Sequence, residues 1–397
     1  MSAGRAAKPL RIAMLTHSTN PRGAVVHALE LAEALTALGH EVAVHAPDPR
    51  GAGFFRATRC RTVPVAARPV SGGLAELVET RIADYLRHFS APGAERFDLY
   101  HAQDGISGNA LLRLRRRGAI DGFLRTVHHV DRFGDPRLDA WQKAAIVEAD
   151  RVLCVSRLWQ DVLARDYGIA ATCVGNGVDT ERYRPEAGPE DSVLCARLGL
   201  GRGPIYLSIG GIEARKNSER ILRAFLAARR MRPMAQLVVA GGASLLDHSD
   251  AQASFDALLR ESGLEAGPGA PVVSTGPVPD ADMPALYRLA DALVFPSLRE
   301  GFGLVVLEAM ASGTPVIVSR LPPFTEYLGE EDCLWVDPTL VEGIAAAMLD
   351  AAEAPTRRRL AAAGPPLCRR HGWRACAEAH LAAYAACRSS CPETAHA

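Results

Sequence analysis

From Leu10 onward the chain repeats one pattern of apolar and polar positions. A short β-branched or apolar run is followed by a loop of Gly, Asn, Asp or Ser, and then by an Ala-, Leu- and Arg-rich stretch with helical spacing. This alternation predicts parallel sheets covered by helices. In the first half the predicted strands are "RIAML" (11–15), "EVAVHA" (41–46), "FDLYHA" (97–102), "FLRTV" (123–127) and "RVLCV" (151–155). In the second half they are "PIYLSIG" (204–210), "QLVVAG" (236–241), "PVVSTG" (271–276), "ALVFP" (292–296) and "PVIVS" (315–319). Between the halves, "YRPEAGPEDSVLCARLGLGRGP" (183–204) is rich in Pro, Gly and charge and reads as a linker between two doubly wound domains. The expected division is a Rossmann-like domain over residues 1–182, a linker over 183–203, a second Rossmann-like domain over 204–366 and a C-terminal stretch over 367–397. Within that last stretch, "CRRHGWRACAEAHLAAYAACR" (368–388) has helical period, and the tail from Ser389 is expected to fray.

Composition narrows the class of partner. The 397 residues are 48% hydrophobic, enough for each domain to bury a core, and 45 Lys plus Arg balance 45 Asp plus Glu. Nothing global argues for nucleic acid as the partner. Nine scattered cysteines without a C-x-x-C pair fit a reducing cytoplasm better than a disulfide framework or a zinc site. The start, "MSAGRAAKPLRIAML", lacks an uninterrupted apolar segment, and no later run reaches the roughly 20 apolar residues of a membrane span. A soluble protein is expected, with peripheral membrane contact left open.

In open parallel sheets ligands bind beyond the carboxyl ends of the strands, so candidate chemistry is sought in the loops there. After the first strand, Gly23 and Ala24 open a helix whose N-terminus could meet a phosphate or sugar, although a bare βα turn looks the same. The loop contains no G-x-G-x-x-G, which argues against a nicotinamide-dependent oxidoreductase. After "FLRTV" comes "HHVD", where His128, His129 and Asp131 could hydrogen-bond a substrate or move a proton; without further partners at ligand spacing no metal is assigned. His101 also ends a strand. After "PIYLSIG", the turn Gly210-Gly211 leads to Arg215 and Lys216, two adjacent cations suited to a diphosphate; a solvated surface pair is the competing reading. Asp280 and Asp282 form a D-x-D string, but Asp282 before Met283-Pro284 reads as a helix N-cap, so no metal is assigned there either.

The densest signal is "REGFGLVVLEAMASG" (299–313), with Glu300 and Glu308 in an otherwise apolar, Gly-punctuated run. On one helix they would lie about 12 Å apart along the axis, beyond the roughly 5 to 9.5 Å of paired hydrolase carboxylates. Gly301 and Gly303 instead predict a helix beginning near Leu304, with Glu300 in the preceding loop and Glu308 in the second turn. A carboxylate among Leu304, Val305, Val306, Leu307, Ala309 and Met310 needs partners, and sugar or ribose hydroxyls are suitable donors; a purely structural glutamate is the alternative.

Together, "PRGAVVHALELAEALTALGHEV", "TVHHVD", "GNGVDTERY", "GGIEARKN", "LYRLADALVFPSLREGFGLVVLEAMASGTPVIVS" and "GWRACAEAHLAAY" resemble the retaining glycosyltransferases of glycosyltransferase family 4. Glu300 to Glu308 matches that family's E-x7-E motif with its Gly-Phe-Gly loop. The resemblance implies a GT-B fold, two doubly wound Rossmann-like α/β domains facing across a cleft, the first on the acceptor side and the second binding a nucleotide sugar. It implies that the C-terminal helix crosses back to the first domain, and the expected linker predicts that the domains close around the donor. It further implies that Glu300 binds donor-sugar hydroxyls, Glu308 the ribose, and the backbone N–H groups of Phe302, Gly303 and Leu304 the sugar and phosphates. Lys216 would pair with the diphosphate beside the Gly210-Gly211 turn, His128 would sit beside the donor sugar, Val278 near the base, and Gly23 in a loop near donor or acceptor.

Two departures stand out. The family's G-R-L turn is Gly210-Gly211-Ile212 here, so the arginine expected at 211 is missing and Arg215 is the candidate replacement; the expected paired glycines of the first loop are Gly23-Ala24. The implied activity is metal-independent, retaining transfer from a UDP- or GDP-type sugar donor, a co-substrate rather than a cofactor, to a small-molecule, saccharide or lipid-linked acceptor. The alternatives are a sugar-nucleotide epimerase or hydrolase on the same fold and a catalytically silent sugar-nucleotide binder. "LLRLRRRG" (111–118) reads as a helix end whose cations complement the helix dipole, or as a basic patch toward anionic lipid at the inner membrane face of a cytoplasmic enzyme.

Overall fold

A computed structural model describes residues 8–242 and 248–388. The tail expected to fray from Ser389 lies outside these, as does Cys391. The chain forms two units: one runs to Asn176 and resumes at Trp373, and the other spans Gly177–Gly372.

Unit 1 contains β1 (Arg11–Leu15), α1 (Gly23–Ala37), β2 (Glu41–Asp48), β3 (Arg61–Ala66), α2 (Leu74–Phe89), β4 (Leu99–Ala102) and α3 (Gly105–Arg116). It continues with β5 (Leu124–Val127), α4 (Pro136–Val147), β6 (Arg151–Cys154), α5 (Arg157–Tyr167) and β7 (Thr172–Cys173). Unit 2 contains α6 (Pro189–Leu198), β8 (Ile205–Ile209), α7 (Ser218–Met231), β9 (Gln236–Ala240), α8 (Ser249–Ser262), β10 (Val272–Gly276) and α9 (Met283–Leu289). It is completed by β11 (Ala292–Phe295), α10 (Leu304–Ala311), β12 (Val316–Ser319), β13 (Leu334–Val336), α11 (Val341–Ala351) and α12 (Ala354–Arg370). The last helix, α13 (Trp373–Arg388), belongs to unit 1 and packs on α1.

Both sheets are wholly parallel, in the orders β3-β2-β1-β4-β5-β6-β7 and β10-β9-β8-β11-β12-β13. Sheets covered on both faces need continuous apolar strands, and β1, β4, β5, β8, β9, β11 and β12 are buried along almost their whole length. In each sheet the order reverses once, between β1 and β4 in unit 1 and between β8 and β11 in unit 2. The crevices beyond the carboxyl ends of these pairs are where such sheets bind ligands.

All ten expected strands form. The three that the pattern did not reveal, β3, β7 and β13, are edge strands, short or exposed, and β3 carries Pro64. The expected linker over 183–203 is corrected. Within it α6 starts at Pro189, ends on left-handed Gly199 and packs against α9, where Arg288 reaches Asp191 and Glu190 (2.7 Å to the latter). Pro and Gly there bound a helix of unit 2. The helical stretch expected over 368–388 is likewise broken at His371–Gly372, which end α12 and begin the return to unit 1.

Candidate functional site

In unit 2, β8 runs into the turn Gly210-Gly211 and a 3-10 turn over Ala214–Lys216, while β11 runs through a loop into α10. Asn217, at φ 64°, ties the two together: its amide donates to the carbonyls of Pro296 (3.0 Å) and Pro338 (2.6 Å). The Leu298 N–H donates to the Arg215 carbonyl at 2.8 Å. On this frame the buried Lys216 Nζ lies 2.7 Å from Glu300 Oε1 and 4.3 Å from the centre of the Phe295 ring. Arg215 places Nη1 3.3 Å from the same Glu300 oxygen and Nη2 2.8 Å from Oε2 of the buried Glu213. Burial draws the Lys216 ammonium below its ordinary pKa, against the opposing pull of Glu300. For Glu300 burial pushes upward, but Lys216 and Arg215 outweigh it and hold the carboxyl below its ordinary range. The arrangement is a desolvated cation–carboxylate pair at the carboxyl edge of the sheet.

The glycine turn explains the absent arginine. The N–H groups of Gly210 and Gly211 both donate to the Ala240 carbonyl (2.8 and 3.0 Å), which lays this turn against the Gly241-Gly242 turn after β9. Gly211 has φ 76°, and a Cβ there would sit 2.9 Å from the Gly242 carbonyl oxygen. A side chain at 211 would be strained and crowded, and the cations in the turn that follows are Arg215 and Lys216.

Gly303, at φ 94°, turns the loop into α10; a Cβ there would meet the Phe324 ring at 2.7 Å. Phe302 stacks on Tyr327 (4.7 Å, 9°), whose hydroxyl donates to the Phe302 carbonyl at 3.1 Å. The Gly-Phe-Gly loop is thereby fixed at a helix N-terminus that begins with Leu304, a geometry suited to an anion. Glu308, in the second turn of α10 and buried, accepts a 2.6 Å hydrogen bond on Oε2 from Tyr287 of α9. The two glutamates thus have separate partners, Lys216 and Arg215 for one and Tyr287 for the other. Val278 follows β10 and lines a mainly apolar pocket of about 230 Å³ with Leu194, Leu198, Pro277 and Leu286.

His128 and Gly23 belong to unit 1. Gly23 is the exposed first residue of α1. His128, just beyond β5, is buried with Nε2 2.9 Å from Gln103 Oε1 and its ring edge-on to His27 at 4.7 Å. His27 in turn meets Asn176, Trp373 and His380, and His101 lies 2.8 Å from the Tyr384 hydroxyl and 2.7 Å from Thr126 Oγ1. Burial lowers all four histidines, His27 to about 4, His380 to about 3, and His101 and His128 well below the ordinary value. His128 is therefore neutral near pH 7 and offers hydrogen bonds, not charge. The rest of "HHVD" points elsewhere, with His129 Nε2 3.0 Å from Asp131 Oδ2.

The acids of the D-x-D string are engaged by arginines: Asp280 by Arg182 and Asp282 by Arg197, both at 2.5 Å. Asp282 occupies the N-cap position of α9 but makes no capping hydrogen bond, its side chain being taken by Arg197. Among the described residues no group of three or more His, Cys, Asp or Glu is placed to hold a metal ion, and no helix is long and apolar enough to cross a membrane. In the basic stretch, Arg113 pairs with Glu79, Arg115 with Glu148 and Asp150, and Gly118 ends the helix at φ 68°.

Sequence reasoning missed Tyr287, Glu213 and Phe295. Phe295 was the last apolar residue of a recognised strand, and Tyr287 lay in a recognised motif, but neither contact partner is near in sequence.

A family model described as Glycosyl transferases group 1 matches residues 197–365, and one described as Glycosyltransferase Family 4 matches residues 21–182. The chain is 30% identical over 338 residues to the D-inositol 3-phosphate glycosyltransferase of Frankia alni, spanning 75% of this chain and 78% of that protein. It is 31% identical over 228 residues to the GDP-mannose-dependent alpha-(1-6)-phosphatidylinositol monomannoside mannosyltransferase of Mycolicibacterium smegmatis, spanning 55% and 56%. The fold is shared with sucrose-phosphate synthase from Thermosynechococcus elongatus (TM-score 0.77, 23% identity, 96% of this chain and 99% of that one). It is shared too with Anabaena HepE in complex with UDP-glucose (TM-score 0.74, 17% identity, 95% and 100%).

Proposed function

The chain belongs to the group 1 glycosyltransferases of glycosyltransferase family 4, and on that premise we propose that it transfers a hexosyl group from a nucleoside diphosphate sugar to an acceptor hydroxyl, retaining the anomeric configuration and using no metal. The observation that carries this reading is the buried Lys216–Glu300 pair at the reversal point of the unit 2 sheet, reinforced by Arg215. As the donor's glycosidic bond breaks, negative charge grows on the bridging oxygen of the diphosphate. Lys216, Arg215 and the N-terminus of α10 are preorganised donors for that charge. Glu300, held ionised, orients donor-sugar hydroxyls. Glu308 takes the ribose hydroxyls, with Tyr287 fixing the direction of its carboxylate. Val278 and its apolar pocket border the base, and His128 supplies a neutral hydrogen bond to the sugar. The engagement of Asp280 and Asp282 by arginines supports a diphosphate neutralised by cationic side chains.

One relative's name specifies GDP-mannose and one fold neighbour holds UDP-glucose, so UDP- and GDP-sugars are the first donors to try, with D-inositol 3-phosphate as a first acceptor probe. A thermal-shift screen identifies the donor, since a ligand at a hundred times its Kd adds about 2.7 kcal/mol of stability. NMR of the product linkage then reads the stereochemistry, and an inverted product overturns retention. The empty arginine position at 211 favours a second reading, a sugar-nucleotide binder without turnover. Saturable nucleotide binding with no product from any acceptor in the panel would select it. Contact with anionic lipid through the Arg113–Arg117 face belongs to the same proposal, and flotation with anionic vesicles tests it.

A further inference from the structure

Unit 1 repeats at its own sheet reversal the plan seen in unit 2. The reversal lies between β1 and β4, and each strand is followed two residues later by a polar side chain, His17 after β1 and Asp104 after β4. These two meet, with Nδ1 of His17 3.6 Å from Oδ2 of Asp104 and their side chains only 13% and 15% exposed. The carboxylate is fixed from behind. Its Oδ1 accepts from the Ser107 N–H at 2.8 Å, and the Ser107 hydroxyl returns a 3.2 Å bond from the Asp104 N–H, a reciprocal cap at the head of α3. Burial pushes the Asp104 carboxyl upward, but His17 and the buried Arg125 outweigh it and hold it below its ordinary range.

His101, Gln103 and His128 hydrogen-bond to one another or to Thr126 and Tyr384, whereas Thr16 Oγ1 and Arg125 Nε are buried without a hydrogen-bond partner, and His17 Nδ1 and Asp104 Oδ2 have only each other, at 3.6 Å. Clustered polar atoms that the protein itself leaves unsatisfied mark a place for a polar ligand. The charge says which kind. Unit 2 sets Lys216 and Arg215 against Glu300 and Glu213 and adds the N-terminus of α10, which suits a diphosphate. Unit 1 sets an imidazole and the buried Arg125 against one ionised carboxylate, a balanced set that suits a neutral hydroxyl. An imidazole whose Nδ1–H faces a carboxylate presents the lone pair of Nε2 as a hydrogen-bond acceptor.

We propose that His17 binds the acceptor through one of its hydroxyl groups, which donates to His17 Nε2, and that Asp104 is the positioning residue that sets the imidazole's tautomer and orientation. The acceptor is thereby a polyol or saccharide engaged through a neutral hydroxyl. This rests on the reading of the chain as a transferase with its donor on unit 2.

Saturation-transfer NMR of the full chain with myo-inositol, D-inositol 3-phosphate, glucose and mannose tests it, alongside calorimetric titration with UDP and GDP. At least one polyol binds the wild type; its affinity falls tenfold or more in His17→Phe and Asp104→Leu, and returns to within threefold in His17→Gln, whose amide still donates to Asp104 and accepts from a hydroxyl. Nucleotide affinity stays within twofold in all three variants, and wild-type circular dichroism and protease resistance show that unit 1 of each variant folds. Failure of every polyol to bind the wild type overturns the proposal. So does polyol binding that survives His17→Phe, or a His17→Gln variant as impaired as His17→Phe. If neither UDP nor GDP binds the wild type, the donor reading fails on its own account, and the polyol arm, with folding checked by circular dichroism, still decides the role of His17.

Discussion

A side chain at position 211 would begin 2.9 Å from a carbonyl oxygen on a backbone at φ 76°, and Arg215 and Lys216 stand in the turn that follows. Gly211→Ala is expected to destabilise unit 2 by about 1–3 kcal/mol, read by urea unfolding. Lys216→Ala, which also leaves Glu300 short of its closest partner, should slow transfer about a hundredfold or more, and a near-normal kcat would count heavily against the mechanism. Arg215 is half-exposed and shares its charge with Glu213, so Arg215→Ala should cost roughly tenfold; unchanged turnover would remove it as the stand-in for the missing arginine. Tyr287→Phe takes a donor from buried Glu308, and nucleoside diphosphate affinity should fall by a factor of about 5 to 30, with no such loss for 2′,3′-dideoxy nucleotides. Glu300, Glu308 and Lys216 were legible in the sequence because motif spacing marks them. Tyr287 was not, because its contact with Glu308 spans 21 residues and only the fold creates it.

At the scale of elements, the apolar runs announced every interior strand because a strand covered on both faces has no polar side to confuse the pattern. The edge strands β3, β7 and β13 lack that constraint and were silent. The same limit hid α6, whose bounding Pro and Gly look like linker chemistry until Arg288 is seen holding Asp191. Helix α10, which carries Glu308, lies so close to α12 that a Cβ on Gly364 would sit 2.3 Å from the Met310 carbonyl oxygen. Gly364→Ala should therefore cost about 1–3 kcal/mol of unit 2 stability and weaken nucleotide binding with it. The contact of α13 with α1 is built around neutral histidines. Because His27 titrates near 4 when folded and near 6.5 when unfolded, the unfolded chain binds the proton first, and stability present above pH 6.5 is lost as pH falls toward 4. At pH 5 His27 alone should lower unfolding free energy by about 2 kcal/mol relative to neutral pH, measurable by urea titration at the two pH values.

At the scale of the whole molecule, the alternation of strand and helix made two Rossmann-like units readable, and the sequence pattern also suggested the return of the C-terminal helix only through resemblance. The point of return, Trp373, depends on a break at Gly372 that helical period alone conceals. A chain ending at Gly372 loses the Tyr384 hydroxyl from His101 and the Trp373 ring from His27. Such a chain should keep nucleoside diphosphate binding in unit 2 while unit 1 becomes sensitive to proteolysis; protection equal to the full chain would show that α13 is dispensable there. The chain also emerges from the ribosome in a fixed order, N-terminal end first. All of unit 2 has been made before the first residue of α13 appears, so residues 177–372 can fold while the sheet that began the chain is still missing its closing helix. During synthesis residues 177–372 are complete before α13 can pack on α1, so unit 1 gains its last helix only after unit 2 has been made.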